Sequence, residues 1–210
     1  MDNEATLTIG NNSYPLNIVE GTESERAVDI SLLRKQSKFI TFDDGYGNTG
    51  SCESKVTFID GDQGILRYRG YDIADLATNS NFLESSYLVM YGELPSASEL
   101  DLFTERVAKF TQLPDEVVIA INSQPKNSHP MGVLAAGLQA LGGAYPEFCT
   151  NDRKADLESF DETAALIIST VRTIAATRHR FLLNENVPLT DPSASYCKNF
   201  LTMMFAKESE

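Results

Sequence analysis

Three cysteines in 210 residues, Cys52, Cys149 and Cys197, form an odd and widely spaced set. That is unlike the paired framework that staples small secreted domains, so free thiols in a reducing compartment are expected. The two histidines, His129 and His179, have no carboxylate or cysteine at ligand spacing, and no metal site is expected. Positive charge is scarce as well. Seventeen Lys and Arg face thirty Asp and Glu, a formal net charge of −13. A nucleic-acid surface needs concentrated positive charge, so no nucleic-acid partner is expected; a local basic patch could still hold a small anion. No apolar run reaches the roughly 20 residues of a membrane-crossing helix. The first ten residues lack the basic and apolar regions of a secretory signal. Together these absences predict a soluble, cytoplasmic protein with no membrane partner. A GxSxG elbow, a Walker loop and an HExxH motif are also missing, which removes the chemistries those motifs carry.

What remains is a globular mix, 42% hydrophobic and 22% charged, in a chain long enough to bury about 70% of its unfolded surface. Residues 6–9 (TLTI) and 16–19 (LNIV) are β-prone runs around GNNSYP and read as a hairpin. Thr22 with Glu25 has the spacing of a capping box, which predicts a short helix over residues 28–35. Residues 41–54 are rich in Gly, Asp, Ser and Asn and read as an extended loop. Gly45, Gly47 and Gly50 lie there, without phosphate-loop spacing. Residues 55–60 and 65–69 flank a turn and predict a second hairpin. Arg67 and Arg69 would alternate on its second strand and face one side, with Asp60, Asp62 and Asp72 near enough in sequence to offset them.

From Asp72 onward the pattern is helical. Asp72 with Asp75, Asn81 with Glu84, Ser96 with Glu99, and Ser159 with Glu162 mark helix starts. Leu83, Tyr87 and Met90 share one face; Leu100, Phe103, Val107 and Phe110 share another. A short helix is expected over 115–122. Residues 130–141 are almost wholly apolar, with Leu134, Leu138 and Leu141 on one face and small residues elsewhere, and predict a helix buried on most sides. Residues 159–181 are the strongest amphipathic run, and 196–205 the last helix. About eight helices after a β-rich start, without strand–helix alternation, give a mainly α fold.

Few residues stand out for chemistry. His129, before Pro130, sits at a helix start; it is either a packed structural histidine or a hydrogen-bond donor to a substrate oxygen. Arg178, His179 and Arg180 fall in the last turn of the long helix. There the helix dipole favours cations, and an anion contact to a substrate or a partner subunit is the other reading.

The segments SCESKVTFIDGDQGILRYRGYDIADLA (51–77), KNSHPMGVL (126–134) and NFLTMMF (199–205) resemble the citrate synthase family. The likeness is to the bacterial, hexamer-forming type II form, as its amino-terminal portion, over essentially the whole chain. It implies a small β-rich segment over 1–70 and, over 71–210, the first half of a multi-helical large domain. The implied reaction joins oxaloacetate, acetyl-CoA and water into citrate and free CoA; acetyl-CoA is a substrate and no cofactor is implied. The family's two catalytic histidines and its catalytic aspartate lie in motifs this chain does not contain, so no catalytic residue is assigned. His129, in the SHPM motif, is implied to be structural or near the site, with Arg178 and His179. NADH-regulated members carry R-H-T where this chain has Lys109, Phe110 and Thr111. With Tyr145, Lys109 and Thr111 would form a degenerate allosteric anion site. The implied partners are further copies of the chain or full-length citrate synthase subunits.

Overall fold

Alternating side chains at the start of the chain make strands, as their period of two requires. A computed structural model describes residues 4–191 and 193–206. In it, β1 (Glu4–Ile9) and β2 (Asn12–Glu20) pair antiparallel, from Glu4 opposite Asn17 to Ile9 opposite Asn12. The two-residue turn between them has Gly10 at φ +62°, the positive angle that hairpin turns of this length need. A third strand, β3 (Arg26–Val28), pairs with β2, and this corrects the expectation at Thr22 and Glu25. The segment closes a second hairpin, with Gly21 N donating to Glu25 O at 2.8 Å, and caps no helix. The helix begins later, as α1 (Leu33–Ser37), after Leu32, which has no side-chain oxygen to cap with. Leu16 and Leu33 are the buried hydrophobics described in this part. The loop over 41–54 has no regular structure; Asp43 ties it locally, accepting from Asn48 N at 2.8 Å and Thr49 Oγ1 at 2.6 Å.

The chain divides into two compact units, Met1–Lys55 and Val56–Glu210. The second sheet therefore belongs with the helices, whereas the sequence reading placed the boundary after residue 70. This sheet has the order β4 (Thr57–Asp60), β5 (Ile65–Tyr68), β6 (Tyr71–Asp72). Asp60 Oδ1 accepts from the backbone N–H of Asp62 and Gln63, 3.0 Å each, to form the turn. Arg69 lies beyond β5 at φ +51°, so the alternation with Arg67 stops. Its guanidinium donates instead to Val89 O, at 2.8 and 3.2 Å, while that of Arg67 lies 5.5 Å from the Phe58 ring centre.

Eight further helices follow α1 among the described residues: α2 (Ile73–Asn79), α3 (Phe82–Tyr91), α4 (Ala97–Ala108), α5 (Asp115–Asn122), α6 (Pro130–Ala144), α7 (Arg153–Glu158), α8 (Phe160–Leu182) and α9 (Tyr196–Phe205). A 3-10 turn at Pro146–Phe148 precedes α7. Asp72 caps α2, and Asn81 and Ser96 form full capping boxes on α3 and α4. Ser159 does not cap α8. The preceding α7 runs into it, leaving few orphan N–H groups to satisfy, and Ser159 Oγ turns back to Asp156 O.

Helix α8 is the spine of two hydrophobic clusters. Ala165 meets Leu83, Phe103 and Val107; Leu166 and Ile174 meet Val117, Ile121, Val133 and Leu141. Each of these large apolar side chains contributes about 1.5–3 kcal/mol on full burial. Helix α6 is less enclosed than expected. Val133, Gly137 and Leu141 form its buried stripe, while Leu134 and Leu138 are half-buried at its flank. At Gly137 a Cβ would stand 2.9 Å from Ile121 Cγ2 and 3.1 Å from Ile174 Cγ2; the helices close to a distance that glycine alone permits. No described helix is long and apolar enough to cross a membrane.

Candidate functional site

His129 caps α6. Its Nδ1 accepts the backbone N–H of Met131 at 3.2 Å, and Pro130 fills the first helical position, where a missing N–H is no loss. Capping consumes one ring nitrogen as an acceptor and leaves Nε2 for any other partner.

Arg178 is buried, 6% exposed, and is spent on backbone. Its Nη1 donates to Ile121 O and Gln124 O at 3.1 and 3.2 Å, and its Nη2 to Pro125 O at 2.6 Å. It thus satisfies carbonyls at and beyond the end of α5 that have no partner within that helix. The His179 ring sits edge-on to Phe205 with centroids 5.9 Å apart. Arg180 donates to Asn186 O at 3.0 Å and pairs with Glu185 at 2.6 Å. Successive residues on a helix point about 100° apart, so the three side chains serve three different partners.

Lys109 and Thr111 do come together with other polar groups. They line a cleft of about 350 Å³ with Arg172, Asp191, Tyr196 and Asn199. It lies between the end of α4 and the segment leading into α9. Tyr145 is not among the lining residues; its ring stands edge-on to Phe110 at 6.0 Å and stacked with Phe148 at 6.1 Å. Asn199 fixes one wall. Its Oδ1 accepts from Asp191 N at 2.9 Å, and its Nδ2 donates to Asp191 O and Ala194 O at 2.8 and 3.2 Å.

The sequence reading missed Arg172. It is 7% exposed, its Nη1 donates to Tyr196 O at 3.0 Å, and its guanidinium carbon lies 4.1 Å from the Tyr196 ring centre, a cation–π contact. Its Nε is buried without a partner. Burial holds the Arg172 guanidinium below the usual arginine range and pushes the Tyr196 phenol up. A signal was available: Ala165, Ser169, Arg172 and Ala176 form the buried stripe of α8, and a cation on such a stripe needs a partner.

A second polar group joins three helices. Arg106 pairs with Asp161 at 3.1 Å and Glu162 at 3.0 Å, and Tyr91 OH donates to Asp161 Oδ1 at 2.8 Å. The acids stand at the start of α8, where its dipole favours them. No group of three or more His, Cys, Asp or Glu able to hold a metal occurs among the described residues. Cys52, Cys149 and Cys197 are free and exposed.

Comparison with known proteins places this arrangement. A family model described as "Citrate synthase, C-terminal domain" matches residues 45–210. Among solved structures, citrate synthase from Pyrobaculum aerophilum superposes with a TM-score of 0.70 at 26% identity, over 92% of this chain and 46% of that one. The Thermoplasma acidophilum citrate synthase, in a ternary complex with carboxymethyl coenzyme A and oxaloacetate, gives 0.72 at 29% identity, over 81% and 44%. That of Thermotoga maritima gives 0.67 at 30%, over 81% and 43%. The chain spans less than half the length of each.

Proposed function

The chain belongs to the citrate synthase family, and on that premise we propose that it is the amino-terminal portion of a bacterial, hexamer-type citrate synthase of the cytoplasm. The parent reaction condenses oxaloacetate with acetyl-CoA and water to citrate and CoA. This chain alone catalyses no condensation. The observation that carries the reading is the family match over residues 45–210, joined to coverage of under half of each matched citrate synthase. The placement of the histidines supports inactivity, since His129 caps α6 and His179 packs on Phe205, and acid–base work needs groups free to touch substrate. His129, Arg178 and His179 are then elements of the scaffold. Lys109 and Thr111 are a degenerate remnant of an allosteric anion site that no longer answers to NADH. Lys109 has no bidentate fork, and Phe110 and Tyr145 pack with Phe148 away from the cleft. The test is thiol release from acetyl-CoA and oxaloacetate, with intact mass of the protein from its source. A mass about twice that of this chain, with CoA release, supports the reading; CoA release by the 23.1 kDa chain itself overturns it.

A second reading is favoured by exposed apolar side chains around the ends of α8 and α9: Leu183, Leu189, Leu201 and Phe205, 50, 90, 41 and 54% exposed. Surfaces of this kind invite association. On this reading the chain is a non-catalytic short form that self-associates or binds full-length citrate synthase subunits. Light scattering of the purified chain, alone and mixed with a full-length enzyme, separates the two: a monomer in both samples rejects it.

A further inference from the structure

Arg172 is a buried cation without a buried anion. No carboxylate pairs with it among the described residues, and one carbonyl and one ring face are its partners. Burial of a charged guanidinium is costly unless its donors are satisfied and its charge is met. Because Nη1 is held by Tyr196 O, the edge formed by Nε and Nη2 has no partner among the described residues. That edge is the planar fork that takes carboxylate or phosphate oxygens two at a time.

The surroundings of this edge fit an anion. Lys109 supplies a second positive charge at the cleft, and the one lining carboxylate, Asp191, is engaged elsewhere. Asp191 Oδ1 accepts from Ser193 N at 2.8 Å and Ser193 Oγ at 2.7 Å, bonds that hold its carboxyl below the usual range. The lining thus carries two cations and one internally bonded anion, a local excess of +1 in a chain of net charge −13. Asn199 Nδ2 and Oδ1 are both spent on the 191–194 segment, so this wall is built before any ligand arrives. At about 350 Å³ the cleft is near the small end of ligand pockets, which suits a compact ligand.

We propose that this cleft binds a small oxyanion, a carboxylate or a phosphate group, on the free edge of Arg172 with Lys109 as the second cation. Occupancy would supply the counter-charge that Arg172 lacks and tie α4, α8 and the start of α9 together. The inference does not depend on the condensation reaction, because it concerns binding by this chain as it stands.

The test is an amide-resolved NMR titration of the whole chain with inorganic phosphate and, separately, succinate, at ionic strength held constant with sodium chloride. Saturable shifts confined to the amides of 109–112, 172 and 191–199 are expected. Lys109→Met removes an exposed charge and should weaken binding about threefold or more. Arg172→Lys keeps the charge but loses the fork and should weaken it about tenfold. Lys154→Met, on α7 outside the cleft, should leave the affinity unchanged. Response to phosphate alone or to succinate alone assigns the oxyanion class. Shifts that stay linear in anion, or that persist unchanged in both Lys109→Met and Arg172→Lys, mean an adventitious ion only and overturn the proposal. Should Arg172→Lys fail to fold, Lys109→Met decides alone. Since no acetyl-CoA or oxaloacetate is present, a negative result here leaves the condensation reading untouched, and the reverse holds too.

Discussion

At the residue scale, a charged side chain is explained by what meets its donors. Arg178 and Arg172 lie on one helix and are equally buried, yet they differ in kind. Arg178 donates to three carbonyls and holds α8 to the end of α5. Arg178→Met leaves those carbonyls buried without donors, and the expected loss is about 3 kcal/mol or more, read as a fall in the urea midpoint at unchanged slope. His179→Ala removes one ring contact and should cost no more than about 1 kcal/mol. Were the two losses equal, Arg178 would not be the tie described here. Tyr91 gives a pH signature. Burial, then its hydrogen bond to Asp161 and that group's negative charge, push its phenol from 10.0 up to about 12, against the opposing pull of Arg106. A raised folded-state pKa means that the native state holds the proton more tightly than the unfolded chain does. Its contribution is full below pH 10.0 and declines as pH rises towards about 12. Stability measured by urea unfolding across that window should fall in the wild type by more than in Tyr91→Phe, and parallel curves would remove Tyr91 as the cause.

At the element scale, the contact of α6 with α5 and α8 depends on the absence of one methyl group. Gly137→Ala would place Cβ 2.9 Å from Ile121 Cγ2 and should cost about 1–3 kcal/mol as neighbouring side chains leave their preferred rotamers. Gly143→Ala, in the same helix with nothing within 4 Å, should instead stabilise by up to about 1 kcal/mol through helix propensity. Opposite signs for two identical substitutions, read as thermal midpoints, are the expected outcome; the same sign for both would remove the close approach as the reason. The same elements show what the sequence makes legible. Asn81 with Glu84 and Ser96 with Glu99 are local patterns with local solutions, and both form the boxes expected of them. Thr22 with Glu25 and Ser159 with Glu162 carry the same spacing and cap nothing. A competing strand pair absorbs the first, and a preceding helix leaves few orphan donors at the second. Helix α7 is six residues long with no buried side chain, too short to show a period. Of the cleft, Lys109 and Thr111 were visible as candidates. Their meeting with Asp191 and Asn199, some eighty residues along the chain, and the role of Arg172 depend on tertiary packing that no local pattern encodes.

At the scale of the whole molecule, apolar burial is unevenly shared between the two units. Among the described residues Met1–Lys55 buries Leu16 and Leu33, while Val56–Glu210 holds both multi-helix clusters. A unit of about fifty residues buries too small a share of its surface to be robust by itself, and its sheet of three strands has little apolar cover. Between the units runs the irregular loop, in which Phe42 is 90% and Tyr46 72% exposed. Proteases need an extended, accessible backbone, which this loop offers and the buried helices do not. Chymotrypsin, which cuts after aromatic residues, should therefore cleave first after Phe42 or Tyr46, giving a carboxy-terminal product that begins at Asp43 or Gly47. That product retains nearly the whole of the segment matched by the citrate synthase family, residues 45–210. It should keep its helical circular dichroism and one cooperative thermal transition, because none of its clustered core residues lies before the cut. Mass spectrometry of the early digest locates the first cut and melting of the purified product tests its independence. First cuts within α3 to α8, or a product that melts without cooperativity, would mean that the helical unit depends on the amino-terminal one for its fold.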